Sequence, residues 1–174
     1  KALHRAGIEV ILDVVYNHFG PDGNYLHAYC PEFFNPRHQT PWGAAINFDG
    51  PHCENVRAFY VDNALHWVGE YHFDGLRLDA VHALADQTAI HILEELATET
   101  EALSEQLGRP LSLIAESDLN DPRLITSRER GGYGMTAQWD DDIHHAIHTA
   151  VSGERQGYYS DFGSLEALAS TLKN

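Results

Sequence analysis

Apolar residues recur along this chain with two alternating periods. Lys1 to Ala6 reads as the last turn of a helix, closed by Gly7, the residue best suited to a left-handed cap. Ile8 to Val15 is an almost continuous β-branched and apolar run broken by Glu9 and Asp13, the pattern of a strand buried on both faces of a parallel sheet. Glu54 to Glu70 places Val56, Tyr60, Ala64, Trp67 and Val68 at helical spacing. From Phe73 to His82 the period drops to two, so Leu76 and Leu78 share one face and Gly75, Arg77 and Asp79 the other. Asp86 is placed to cap the next helix, whose stripe runs Ile90, Leu93, Leu96, Leu103, Leu107 and ends at Gly108 and Pro110. Leu111 to Ala115 reads as a buried strand stopping at Glu116, Asp118 to Gly134 as loop, and Met135 to Trp139 as a further strand. Asp140, Asp141 and Asp142 suit a helix N-terminus, and Ser164 caps a last helix with Leu165, Leu168, Ala169 and Leu172 on one stripe.

Tyr16 to His52 breaks this rhythm. Five of the seven prolines fall here, and Gly20-Pro21-Asp22-Gly23 signals a tight turn. Residues 19–52 therefore read as a long loop excursion, a feature that is usually functional in a compact domain. Its aromatics are Phe19, Tyr25, Tyr29, Phe33, Phe34, Trp42 and Phe48. Aromatic faces stack on sugar rings, but for most of these a small core belonging to the loop itself is the preferred reading.

Alternating helix and strand predicts an α/β fold with parallel strands, either an open doubly wound sheet or a (β/α)8 barrel. Gly131-Gly132-Tyr133-Gly134 precedes its strand rather than following one, which disfavours a dinucleotide site.

Composition narrows the function. The 174 residues are 43% hydrophobic and 21% charged, a globular balance, and the net charge of −15 argues against nucleic acid or an anionic membrane as partner. No apolar run approaches a membrane span. Two cysteines, Cys30 and Cys53, make no disulfide framework, which favours a reducing, cytoplasmic setting. Both ends fall inside helical patterns, as expected of a segment cut from a longer protein.

Polar residues collect where strands end: Asn17 and His18, then Asp79 and His82, then Glu116. Carboxylates on adjacent strands lie within reach of one another, since strands are about 4.8 Å apart, and the pair in retaining glycosidases is separated by about 5–5.5 Å. Asp79 beside Arg77 suits a nucleophile that must stay ionised, although this stretch alone is read equally well as a structural ion pair. Glu116, between Ala115 and Ser117 with no adjacent cation, suits the general acid. His82 reads either as the lining of a leaving-group subsite or as a loop histidine bonded to backbone. Asp49 reads as structural or turn-forming.

Three blocks carry a family resemblance: Asp13-Val14-Val15-Tyr16-Asn17-His18, Gly75-Leu76-Arg77-Leu78-Asp79-Ala80-Val81-His82 and Ile114-Ala115-Glu116-Ser117. In order and spacing they resemble the ordered blocks of the α-amylase family of glycoside hydrolases. The resemblance implies Asp79 as nucleophile, Glu116 as general acid/base, Arg77 as the residue that orients Asp79, and His18, Tyr16 and His82 as substrate contacts. It also implies a partial (β/α)8 TIM barrel covering about strands three to six, with residues 1–174 forming part of one catalytic domain truncated at both ends. Alone, such a segment would leave sheet edges open and be inactive. Further wording, in Phe19 to Tyr25, Asp79 to Ala83, Glu116 to Pro122 and Ala137 to His145, resembles the family members that cleave the α-1,4 bond next to the trehalose end of a maltooligosyl trehalose. The nearest competitor is glycogen branching enzyme, a transglycosylase; a non-catalytic carbohydrate-binding relative is disfavoured by Arg77, Asp79 and Glu116 together. The expected partner is maltooligosyl trehalose or a related α-glucan, besides the remainder of the catalytic domain.

The family's third acidic residue, in a His-Asp block after barrel strand seven, has no match here; Asp140 to Asp142 come too early and are not promoted. His144 and His148 share a helix face, but no HExxH pattern accompanies them. Some α-amylases bind calcium through the residue matching Asn17, yet no further ligands are identifiable; no metal and no cofactor are expected.

Overall fold

The computed structural model describes residues 1–20 and 22–173; Pro21, assigned above to a tight turn, lies outside the described residues. A short helix α1 (Ala2–Arg5) ends at Gly7, whose φ of +74° is the left-handed cap expected. Strand β1 (Ile11–Val14) follows, then a short helix α2 (Leu26–Tyr29) and the strands β2 (Phe34–Thr40) and β3 (Gly43–Ile46). Helix α3 (Cys53–Gly69), β4 (Gly75–Leu78), α4 (Ile92–Leu107) and β5 (Ser112–Ser117) form the middle of the chain. Strand β6 (Ala137–Asp140), α5 (Asp141–Ser152) and α6 (Leu165–Thr171) complete it.

The main sheet is parallel throughout, in the order β1-β4-β5-β6. Its register sets Asp13 opposite Arg77, and Leu78 opposite both Val14 and Ala115. One face carries Val14, Leu76, Leu78, Leu113 and Ala115, all buried against Val56, Tyr60, Ala64 and Val68 of α3 and Leu93 and Leu96 of α4. Fully burying each leucine contributes about 1.5–3 kcal/mol. On the opposite face Ile11 and Trp139 are exposed. β1 is thus shorter than the Ile8 to Val15 run and buried on one face only, because no element among the described residues covers the side of Ile11 and Asp13.

Gly75 opens β4 where the chains come closest. A Cβ there would overlap the Ser112 carbonyl oxygen of the neighbouring strand. Gly75→Ala is expected to destabilise the protein by about 1–3 kcal/mol, read as a lower urea midpoint, because backbone rather than a flexible side chain must yield.

The excursion of residues 19–52 is more than a loop. β2 and β3 pair antiparallel, and Phe34, Ile46 and Phe48 are buried with Phe19 and Phe33 packed against them. Phe19 meets Phe34 edge-on with centroids 6.0 Å apart, and Phe48 meets Tyr60 of α3 at 5.2 Å. The loop's own core therefore takes four of its seven aromatics, while Tyr25, Tyr29 and Trp42 are exposed. Asp49 is structural: its carboxylate accepts bonds from Asn35 (2.6 Å), His38 (3.2 Å) and the Gln87 backbone N–H (3.3 Å), joining the excursion to the loop after β4. Cys30 and Cys53 are unpaired thiols.

Asp86 reaches the start of α4 as expected, its Oδ2 accepting the Ile92 N–H at 2.7 Å, but it is not the residue that opens the helix. Residues 87–90 form a turn, Ile90 lies outside the helix and is exposed, and His91 is the cap, its Nδ1 accepting the Leu93 N–H at 3.2 Å. The His91 ring stacks on Tyr133 at 4.5 Å, and burial holds its pKa below the usual 6.5 despite the opposing pull of Asp86. Only the neutral ring can accept that bond. Its stabilising contribution is complete above about pH 6.5, the unfolded value, and is lost as pH falls from there through the lower folded value. Urea midpoints on either side of that pH should fall on acidification in the native protein and fall less in His91→Asn, which keeps a capping side chain without the titration.

Candidate active site

Register alone brings the strand-end residues together. Asp79 follows β4 directly, and Leu78 pairs with Ala115, so Asp79 and Glu116 stand side by side on adjacent parallel strands. Arg77, on the same face as Asp79, lies beneath both. Its Nη1 donates to Asp79 Oδ1 at 2.9 Å and to Asp13 Oδ1 at 2.8 Å, and its Nη2 is 3.6 Å from Glu116 Oε2. The Trp139 ring closes over the guanidinium, 5.0 Å from Cζ to centroid. Burial works against the Arg77 charge, but the bonds to Asp13 and Asp79 outweigh it and hold its pKa above the usual arginine value. Arg77 thus serves three carboxylates. Glu116 has a nearby cation after all, one invisible in its own stretch because it comes from the neighbouring strand.

Two backbone features fix the carboxylates further. Ala80 adopts φ 42°, a left-handed conformation costly for a residue with a Cβ, and its N–H donates to Glu116 Oε2 at 2.6 Å. Asn17 is buried, and its amide donates to the Asp79 carbonyl at 2.6 Å and to Asp79 Oδ2 at 3.4 Å. Asn17 therefore holds Asp79, and its Oδ1 is already engaged with His18 Nδ1.

Other residues singled out from sequence divide between cleft and core. His18 stacks on Trp42 of the β2–β3 turn, centroids 5.1 Å apart and planes 23° apart. His82 lines the cleft, with Nδ1 3.5 Å from Asp118 Oδ1. Tyr16 does not reach the cleft. It is buried, its hydroxyl donates to Asn63 of α3 at 2.7 Å, its ring packs on Tyr60 at 5.0 Å, and burial pushes its phenol well above the usual pKa. It is a packing residue because it continues the alternation of Leu12 and Val14, whose face packs on α3.

The cleft holding Asp79 and Glu116 encloses about 790 Å³. Sequence reasoning missed part of its wall: Trp42, Asp141, Asp142, His145, Tyr158 and Phe162 line it too. Asp140 is the cap of α5, accepting from the Asp142 and Ile143 N–H groups at 2.9 and 3.2 Å, as expected of this acidic run, but its two neighbours face the cleft. No regular spacing links Tyr158 and Phe162 to the His144-His145 pair, so no local pattern signals this wall. His148 pairs with Glu154 at 3.0 Å and stacks on Tyr159 at 4.2 Å. Among the described residues no three His, Cys, Asp or Glu side chains converge to hold a metal.

The sequence and the fold have counterparts. The chain is 61% identical over 173 residues to malto-oligosyltrehalose trehalohydrolase of Mycobacterium tuberculosis, an alignment spanning 99% of this chain and 30% of that protein. It is 48% identical over 171 residues to the enzyme of the same name from Saccharolobus solfataricus, covering 98% and 29% respectively. A 1,4-alpha-glucan branching enzyme of Corynebacterium jeikeium is 33% identical over 163 residues, covering 80% of this chain and 22% of that protein. The chain thus spans about 30% of the length of the trehalohydrolases it matches. A scan against protein-family models finds no match. Among solved structures, a protein from Salmonella typhimurium named provisionally as an α-amylase superposes with TM-score 0.81 at 38% identity, covering 98% of this chain and 29% of that one. The α-amylase of Geobacillus thermoleovorans, complexed with acarbose, shares the fold at TM-score 0.69 and 23% identity, covering 98% and 37%. Over nearly its whole length this chain is homologous to the malto-oligosyltrehalose trehalohydrolases, and its structural neighbours are enzymes of the α-amylase family.

Proposed function

We propose that the protein carrying this chain hydrolyses the α-1,4-glucosidic bond adjacent to the trehalose end of maltooligosyl trehalose and releases trehalose. The observation that carries the reading is the placement of Asp79 and Glu116 side by side on β4 and β5, around one arginine, within a sequence 61% identical to a trehalohydrolase. On this reading Asp79 attacks the anomeric carbon while Glu116 gives its proton to the departing glycosidic oxygen. Trehalose leaves, and the glycan stays on Asp79 as an ester. Glu116, now a carboxylate, takes a proton from water, which attacks the same carbon and frees Asp79, so two inversions give net retention. Arg77 keeps Asp79 ionised and aimed; His18 meets the sugar retained on Asp79; His82 meets the leaving portion.

The parallel order β1-β4-β5-β6 corresponds, in this proposal, to strands three to six of a (β/α)8 barrel, with residues 19–52 as the excursion after strand three and residues 1–174 as part of one catalytic domain. The exposed face bearing Ile11, Arg77 and Trp139 would then point into the barrel. On this reading the protein works in the cytoplasm with α-glucan as its partner, and the net charge of −15 speaks against nucleic acid or an anionic membrane; among the described residues no helix is long and apolar enough to cross a membrane. The second reading, glucan branching, is favoured by the 33% identity to a branching enzyme.

Product analysis separates the two. The full-length protein, given maltooligosyl trehalose, should release free trehalose; new α-1,6 branches without trehalose would overturn the hydrolase reading in favour of branching.

A further inference from the structure

Outside the catalytic cleft, a second concavity of about 330 Å³ opens between the start of α4 and the loop that joins β5 to β6. It shares no lining residue with the cleft. The stacked pair His91 and Tyr133, centroids 4.5 Å apart, lines it and also lines a smaller crevice of about 180 Å³ beside His82 and Ser117. The two rings therefore stand between the outer pocket and the catalytic side of the molecule. Gly131 and Gly132 keep side chains out of the loop wall, and a Cβ on Gly131 would meet only open space. The Gly131-Gly132-Tyr133 run, which follows no strand and so holds no dinucleotide, makes room here instead.

Charge decides what the pocket suits. Asp86, Glu94, Arg123 and Arg128 all line it. Two of them are satisfied within the protein: Asp86 pairs with Arg57 at 2.6 Å, and Arg128 pairs with Glu101. Glu94, in the first turn of α4, and Arg123, on the facing loop, form no ion pair among the described residues. Arg123 is nevertheless held in place, its Nη2 donating to the Tyr133 hydroxyl at 2.9 Å and its Cζ lying 4.8 Å from the ring centroid. Its remaining N–H groups are left for a ligand. An ion of either sign would be repelled by one of these two walls. A neutral polyol satisfies both, because its hydroxyls accept from the guanidinium and donate to the carboxylate. We propose that this outer pocket is a second, non-catalytic binding site for one neutral sugar unit, the glucosyl residue of trehalose or of an α-glucan chain end. The proposal goes beyond the hydrolase reading and does not depend on which bond the cleft cleaves.

Equilibrium dialysis of the full-length protein against labelled trehalose, and separately against labelled maltose, tests it. Glu94→Gln and Arg123→Gln each remove a charge at a partly or fully exposed position. Each should raise Kd about tenfold for one class of sugar sites, the usual worth of one charge-assisted bond, and leave kcat for maltooligosyl trehalose within about twofold of native. Weakening for trehalose alone assigns the site to the free disaccharide; weakening for both sugars assigns it to the chain end as well. Native sugar binding in both variants would overturn the proposal, as would a fall in kcat that tracks the loss of binding. Saturation of the pocket by glycine betaine or inorganic phosphate, displaced by neither sugar, would overturn the neutral-sugar assignment. If the native protein releases no trehalose but the variants still weaken sugar binding, the hydrolase reading falls and the outer site stands; if trehalose is released and the variants bind sugar as the native protein does, only the outer site falls.

Discussion

Asp79→Asn in the full-length protein is expected to lower kcat by about 10⁴-fold or more, since on the proposed mechanism no covalent step can begin without this carboxylate. Glu116→Gln should cost about 10²–10⁴-fold, the usual worth of a positioned acid–base group. The two losses differ in kind, and that difference is the sharper test. A substrate whose leaving group departs as a stable anion, such as an activated aryl glycoside, needs no proton. Glu116→Gln should therefore recover most of its first-step rate with that substrate, and Asp79→Asn should recover none. The amide variants are close in size to the acids, so the Arg77 and Ala80 contacts lose charge rather than shape. Equal recovery in both variants, or none in Glu116→Gln, would assign the roles wrongly; native turnover in Asp79→Asn would remove the site altogether.

The strands were legible in the sequence because each is short and strongly patterned, and β4 shows how far such patterning reaches. Its alternation put Leu76 and Leu78 on one face and Arg77 and Asp79 on the other, which is how they lie. What that stretch could not show is what Arg77 meets on neighbouring strands. Asp13 and Glu116 enter through the parallel register, a tertiary fact with no local signature. The start of α4 was less legible for a related reason. Asp86 does accept the Ile92 N–H, but its carboxylate also holds Arg57, and the turn before the helix puts His91 in the capping position. Tyr16 sat inside a block rich in site residues, yet a side chain one place away from Asn17 points to the other side of the chain and finds α3. The cleft wall from α5 onward was hidden because stacking of His145 on Tyr158 follows neither helical nor strand spacing.

Arg57→Ala is expected to destabilise the protein by about 3–5 kcal/mol, the cost of removing one partner from a buried ion pair. The reason lies with what would be left behind. The Asp86 side chain is fully buried and receives Arg57 Nη1 at 2.6 Å. Burial alone would raise the Asp86 pKa; bonds from Thr88 and the pair with Arg57 outweigh it and hold the carboxyl below the usual range. Without the guanidinium, a carboxylate without its buried counter-charge remains, along with the Phe48 and Ile90 carbonyls that Arg57 also serves at 2.9 and 2.8 Å. Glu95 is the remaining partner, 2.6 Å from Nη2. Arg57→Lys keeps the charge but cannot reach these groups with one ammonium, so it should recover part of the loss and not all of it. The same fork ties the excursion, through Phe48, to the loop that leads from Asp79 and His82 into α4. Loosening it should therefore lower kcat/KM in the folded enzyme while leaving Asp79 and Glu116 chemically intact. Urea midpoints and kcat/KM, measured on both variants below their unfolding transitions, check the two parts separately; a midpoint shift worth less than about 1 kcal/mol in Arg57→Ala would mean that the pair is screened like an exposed surface contact.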